Sequence, residues 1–423
     1  MTGPRVLLSA YQCGPGMGSV SQIGWEWYSR LSRHVKVTLA THIRNKELLE
    51  KSGSPLNGSE IIYIDTEWLA RPLWKTANAL FPGSEHSAFL FSSFDYFAYE
   101  HELLKAARKR QVKGQCWDVV HVVTPVSPSA VTRMASLQLP LIRGPLNGGL
   151  ETPKQFPELM KADSAWVYPL REITRPMRLL MGEKKSGDIV LAANQVTRRS
   201  LTNAEQRVAR SMMEIAVDIQ KYEATPWPDA PSAENPLRIV FVGRLIPAKA
   251  LSLLLDAMQE MKDSFPIDLT VVGDGPMRAE WEAKAESLGK RVRFLGALGA
   301  KEVVQEIQKA HVLCLPSVRE SGGAVLLEAM SCARPVIAVA HGGPADIVHD
   351  AVGKLVPADN ARVVIEGLKA AMTEIFHEPG KWSERGQQGR KEAEERHSWD
   401  AHVMQMLGMY DELTTLYNLG AAS

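Results

Sequence analysis

The sequence predicts an α/β protein made of two doubly wound domains, each a parallel sheet covered by helices on both faces. Three observations carry that expectation. Short apolar, β-branched runs recur at 5–9, 35–40, 119–123, 189–192, 238–242, 269–272, 292–294, 312–315 and 335–339, without polar alternation. Such runs suit strands buried on both faces. Each leads through a Gly- or Pro-containing turn into a helical pattern, the order that builds parallel βαβ units. Finally, residues 223–236, EATPWPDAPSAENP, place four prolines among small and acidic residues and interrupt the periodicity. The expected organisation is therefore an N-terminal domain over 1–222, a linker over 223–236, a second domain over 237–395 and a terminal segment over 396–423. Two such domains facing each other would enclose a cleft between the carboxyl ends of their sheets, where sheets of this kind bind ligands.

Composition bounds the function. The chain has 423 residues, 45% apolar and 23% charged, as in globular proteins of two or three domains. Lys+Arg 49 against Asp+Glu 48 leaves a net charge of +1, so no global field draws the protein to nucleic acid, and any anion must be captured locally. Cys13, Cys116, Cys314 and Cys332 lack CxxC spacing, which argues against a disulfide framework or a structural zinc site. The apolar run 6–10 is too short for a signal peptide, and no uncharged apolar run approaches the roughly 20 residues of a membrane span. A cytoplasmic protein is expected.

Following the chain, the loop 13–19 (CGPGMGS) comes after a strand and before a helix. Gly16 and Gly18 there either let amides approach a phosphate or form a plain tight turn. The spacing is not that of a dinucleotide site, and the next strand ends without an acidic residue. His121 closes an apolar strand, where a lone histidine is commonly structural. In the second half the strand 238–242 runs into Gly243 and then Arg244 and Lys249, two cations within reach of a diphosphate, though a solvated surface fits them equally. Residues 317–330, SVRESGGAVLLEAM, present Glu320, then Ser321, Gly322 and Gly323, then an apolar helix bearing Glu328. Amides there can hold phosphate or sugar oxygens and the carboxylates can accept from hydroxyls. A helix starting near Gly323 would put Glu328 roughly 7 to 8 Å deeper than the loop. On residues alone, the reading of one loop acid and one solvated helix acid prevails.

Taken together with 271–276 (VVGDGP), 292–296 (VRFLG), 334–338 (RPVIA), 342–348 (GGPADIV) and 396–400 (RHSWD), these segments resemble, in order, the retaining glycosyltransferases of family 4, which have the GT-B fold. The N-terminal half matches more loosely, at 14–19, 118–121 (DVVH) and 143–149 (RGPLNGG). The resemblance implies that Glu320 contacts donor-sugar hydroxyls, with Ser321, Gly322 and Gly323 close to the sugar and phosphates. It implies Glu328 as the ribose ligand, Arg244 and Lys249 as the diphosphate clamp, Phe294, Leu295 and Gly296 beside the base, and His121 near the reacting carbon. Ala250 and Ala333 stand where the family usually has glycine, and 215–218 (IAVD), which looks like the strand before the linker, lacks its usual glycine too; such changes matter only where the backbone needs positive φ.

The implied reaction moves a sugar, with its anomeric configuration kept, from a UDP- or GDP-linked donor to an acceptor hydroxyl. Neither a cofactor nor a metal is expected, because no D-x-D stands at a strand end and the two cations can take the metal's part. The acceptor, a sugar, a lipid-linked glycan or a small molecule, is expected against the N-terminal domain, whose aromatics are Trp25, Trp27, Trp68, Trp74 and the cluster Phe89, Phe91, Phe94, Tyr96, Phe97 and Tyr99. Arg171, Arg175, Arg178, Lys184 and Lys185 form either a solvated helix face or a site for peripheral contact with the inner face of a membrane. A nucleotide-sugar epimerase, a glycosyl phosphorylase or a non-catalytic nucleotide-sugar-binding subunit on the same fold are the rival readings.

Overall fold

A computed structural model describes residues 3–72, 85–130, 132–150, 155–157 and 187–421. The chain divides into two compact units: residues up to 149, 187–214 and from His402 onward form the first, and Ile215–Ala401 with residues 150 and 155–157 the second. The basic cluster at 171–185 and Trp74 lie outside the described residues, as do the side chains of Phe89 and Phe91.

The first unit is a seven-stranded sheet of β1 (Arg5–Ala10), β2 (Lys36–His42), β3 (Glu60–Ile64), β4 (Val119–Thr124), β5 (Leu141–Leu146), β6 (Ile189–Ala192) and β7 (Ala209–Ser211), in the order β3-β2-β1-β4-β5-β6-β7. Every neighbouring pair is parallel. The second is a six-stranded sheet of β8 (Leu237–Val242), β9 (Ile267–Val272), β10 (Val292–Gly296), β11 (Val312–Leu315), β12 (Val336–Val339) and β13 (Gly353–Val356), in the order β10-β9-β8-β11-β12-β13. It too is wholly parallel. In both sheets the chain winds outward from one central strand and then restarts on its other side, leaving a crevice at the carboxyl ends of β1 and β4 and of β8 and β11.

Four strands escape the pattern of apolar runs, each for a local reason. β3 (EIIYI) begins on Glu60 at a sheet edge, and β7 is a three-residue edge strand, ARS, with no buried residue. β5 (LIRGPL) contains an arginine, a glycine and a proline yet is buried throughout. It tolerates Arg143, 1% exposed, because the guanidinium donates to the Glu205 carboxylate at 2.9 Å and the Pro128 carbonyl at 2.9 Å. β13 is a short edge strand, GKLV, with a lysine. Conversely, residues 215–218, which look like a strand before the linker, make one isolated bridge, Val217 with Ser398.

The core of the first unit joins the sheet to helix Glu85–Val112 through Leu7, Tyr11, Val120, Tyr96, Tyr99 and Leu103. Of the aromatics named above, Trp27, Tyr96 and Tyr99 are core, whereas Trp68 and Phe94 are exposed at 68% and 42%. From His402 the final helix, Trp399–Ala421, packs into this unit: Tyr410 hydrogen-bonds His121, and Glu412 pairs with Arg210.

Candidate active site

In the second unit the candidate residues gather where β8, β9, β10, β11 and β12 end, because main-chain contacts lock their loops together. After β8, Gly243 donates to the Val272 carbonyl at 3.0 Å and Leu245 to the Asp274 carbonyl at 2.9 Å. Gly273 donates in turn to the Gly296 carbonyl at 2.8 Å, so the segment Phe294-Leu295-Gly296 is tied to the same framework. A Cβ at Gly273 would stand 2.0 Å from the Gly243 carbonyl oxygen, and Gly273 holds φ +132°, so only glycine fits. Leu295 is 36% exposed beside the buried Gly296.

The turn after β8 passes through Pro247–Lys249 to Ala250 and the apolar helix Leu251–Met261. The loop after β11 reaches back to it, Val318 donating to the Ala248 carbonyl at 3.1 Å. That contact brings Lys249 Nζ onto the Glu320 carboxylate, with the two side chains 19% and 14% exposed. Residues 71 apart in sequence thus form one ion pair at the switch point of the sheet. Arg244 lies on the same turn and is exposed. The Gly342-Gly343-Pro344 turn after β12 buttresses the Glu320 loop from behind. Gly343 donates to the Glu320 carbonyl at 3.0 Å, and a Cβ on Gly342 would fall 1.9 Å from that oxygen.

Gly323, at φ +80°, caps helix Ala324–Ser331 with no side-chain hydrogen bond, leaving first-turn N–H groups available to an anion. Glu328 lies one and a half turns along. Burial pushes its carboxyl up, opposed by a hydrogen bond from the Tyr222 hydroxyl. The sequence offered no signal for Tyr222, and the GGP turn carried no assigned role there, since both matter only through what they touch.

In the first unit the β1 loop holds Gly16 and Gly18 at φ +73° and +86°, with no atom within 4 Å of a Cβ at either. The Gly16 amide is engaged, donating to Gln22 Oε1 at 2.8 Å. His121 requires a correction. It lies mid-strand at 0% exposure, its Nδ1 2.7 Å from the Tyr410 hydroxyl and its Nε2 2.7 Å from the Gly144 carbonyl oxygen, with Trp27 edge-on at 5.7 Å. With both ring nitrogens bonded inside the unit, and a pKa lowered by burial to about 4, it is a neutral structural residue.

The parallel sheets and their two switch points define a doubly wound α/β protein. The family model for glycosyl transferases group 1 matches residues 227–391. A phosphatidyl-myo-inositol mannosyltransferase of Mycobacterium leprae is 30% identical over 42% of this chain and 47% of its own length. An uncharacterized glycosyltransferase of Methanocaldococcus jannaschii is 30% identical over 41% and 48%. The chain thus spans about half the length of these curated relatives. A longer match, 27% identical over 70% of this chain and 74% of the other, is to the phosphatidyl-myo-inositol mannosyltransferase of Mycobacterium tuberculosis. Anabaena HepE in complex with UDP has the same GT-B fold, with TM-score 0.62, 16% identity and coverage of 97% of this chain and 100% of that one. So has Staphylococcus aureus TarM, with TM-score 0.59, 12% identity and coverage of 96% and 99%.

Proposed function

We propose that this protein is a retaining glycosyltransferase that moves a sugar from a nucleoside diphosphate to an acceptor hydroxyl. The observation that carries the reading is the Lys249–Glu320 ion pair beside Arg244 at the carboxyl ends of β8 and β11. As the C1–O bond to the diphosphate breaks, negative charge grows on the leaving phosphate. Arg244, Lys249 and the amides ahead of Ala324 stabilise that charge more than they stabilise the bound donor. Lys249 exchanges its internal partner for the diphosphate, which frees Glu320 to accept from sugar hydroxyls. The acceptor oxygen bonds to C1 on the face the phosphate leaves, and its proton passes to the departing phosphate oxygen, so configuration is kept and no protein nucleophile is needed.

Because two side-chain cations serve the leaving group, turnover should survive EDTA. The names of relatives, phosphatidyl-myo-inositol mannosyltransferases, support a lipid-linked polyol acceptor met at a membrane surface. Among the described residues no helix is long and apolar enough to cross one. The deciding experiment incubates UDP- and GDP-linked sugars with phosphatidylinositol-containing vesicles, with and without EDTA, and scores nucleoside diphosphate release and labelled lipid. Release dependent on acceptor supports the reading. A new nucleotide sugar formed from donor alone, or tight nucleotide binding without transfer across a broad acceptor panel, overturns it.

A further inference from the structure

We propose that the second unit carries a further small-molecule site, for a phosphorylated sugar or polyol, at the end of its sheet opposite the Lys249–Glu320 pair. An open cavity of about 570 Å³ lies there between helix Pro379–Arg396 and the turn 349–352, with Asp350, Lys381, Glu384, Arg385, Gln387 and Lys391 in its lining. That turn leads into β13, and every strand of the sheet is parallel. The cavity therefore sits at the amino ends of the strands, whereas the switch-point loops leave from the carboxyl ends. None of its residues takes part in the transfer reaction, and the site does not depend on that reading.

Arg385 anchors the site. It is 4% exposed and held from three sides: Nε donates to the Asp350 carbonyl at 2.8 Å, Nη1 donates to the Glu374 carboxylate at 3.2 Å, and the guanidinium carbon lies 4.6 Å from the centre of the Trp382 ring. Nη2 is left without a hydrogen-bond partner among the described residues and is not sealed from solvent, so its N–H groups open onto the cavity. A guanidinium fixed in place with one nitrogen unmet is a preorganised donor for a phosphate oxygen. Glu374 neutralises it only in part, because the same carboxylate serves Lys381. Glu384, Gln387 and Lys391 follow on one helix face at i, i+3 and i+7, all exposed and without a side-chain partner among the described residues. The helix that bears them is seated firmly, since a Cβ at Gly386 would stand 2.4 Å from the Ala333 carbonyl oxygen.

The mixed lining selects the ligand. A polyanion would meet Glu384 and Asp350, and a cation would meet Arg385 and Lys391. A molecule with one phosphate and several hydroxyls satisfies both sides: the phosphate accepts from Arg385 Nη2 and Lys391, and the hydroxyls donate to Glu384 and Asp350.

The test titrates the full chain with glucose 6-phosphate, inorganic phosphate and glucose by calorimetry, and repeats the titration on Lys391→Ala, Glu384→Ala and Lys249→Ala. Lys391 and Glu384 are exposed, so their variants should keep the fold, checked by circular dichroism. Glucose 6-phosphate should bind at one site, with inorganic phosphate about tenfold weaker and glucose giving no measurable heat. Lys391→Ala and Glu384→Ala should each weaken glucose 6-phosphate about tenfold, the order expected on losing one hydrogen bond to a charged group. Lys249→Ala should bind it as the unaltered protein does. Absence of binding overturns the proposal, as does undiminished affinity in both cavity variants. Binding lost in Lys249→Ala would place the ligand at the switch point and overturn it too, and phosphate bound as tightly as glucose 6-phosphate would remove the sugar from the reading.

Discussion

Ala250 and Ala333 hold φ of +48° and +57°, in the left-handed region that glycine enters freely and a residue with a Cβ enters at a cost of roughly 1–2 kcal/mol. Both stand where the family resemblance expects glycine, so at these two positions the backbone conformation has been kept while its natural residue has not. Ala250 is buried and its methyl repays part of the cost, whereas Ala333 is only half-buried. Ala333→Gly should therefore stabilise the second unit by about 0.5 kcal/mol after the entropy of the unfolded glycine is subtracted, measurable by denaturant unfolding. Lys249 makes the sharper functional case. On the proposed reading, Lys249→Ala leaves Glu320 without its cation and the leaving diphosphate with one stabiliser fewer, so turnover should fall about 10²-fold in single-turnover assays. Unchanged turnover would refute the clamp. His121→Gln should cost stability of about 2 kcal/mol through its buried hydrogen bonds while leaving the shape of the pH–rate profile intact. A limb of that profile lost in the variant would restore His121 to the chemistry.

The active loops are positioned by one another more than by their own sequences. Glu320 stays in place because the Gly342-Gly343 turn from β12 lies against its backbone and Val318 is tied to Ala248 on the neighbouring loop. Gly342→Ala forces a Cβ to within 1.9 Å of the Glu320 carbonyl oxygen, which the rigid backbone cannot admit without moving the acid. Displacement on the order of 1 Å costs about 10²-fold in rate, so the variant should keep its fold by circular dichroism and lose turnover on that scale. Gly58→Ala is the control. It shares a positive φ of +71° with nothing within 4 Å of its Cβ, and should lower stability without touching turnover. Loss of activity in both would assign the effect to folding.

At the scale of the whole molecule, buried titratable groups set the response to acid. Burial lowers the pKa of His121, His311 and His397 to about 4, and that of His42 also falls. A lowered histidine contributes stability that is complete above its unfolded value near 6.5 and is lost as pH falls toward its folded one. Glu100, buried and raised to about 7, works in the opposite sense: its contribution is complete below about 4.5 and is lost as pH rises through 7, and Glu328 follows the same sign. The histidines outnumber these two carboxyls, so the thermal midpoint should drop by roughly 5 °C between pH 6.5 and 4.5. A flat or rising midpoint would show that the carboxyls dominate.

The winding of both sheets was legible in the sequence because strands buried on two faces must be continuously apolar, and most of the apolar runs reappear as parallel strands. The placement of Arg244, Lys249 and Glu320 at the switch point was legible too, since they sit a few residues beyond strand ends. What the amino-acid order could not state was which polar groups would meet. β5 hides an arginine made tolerable only by Glu205, 62 residues away. His121 reads as a site residue until Tyr410, 289 residues on, takes one of its nitrogens. The two sheets, their apolar strands and the cations at one switch point could be read from the amino-acid order, because periodicity and local spacing are properties of neighbours along the chain. That Lys249 pairs with Glu320 and that His121 is sealed away came from the folded molecule, because burial and hydrogen bonding are set by groups brought together from far apart.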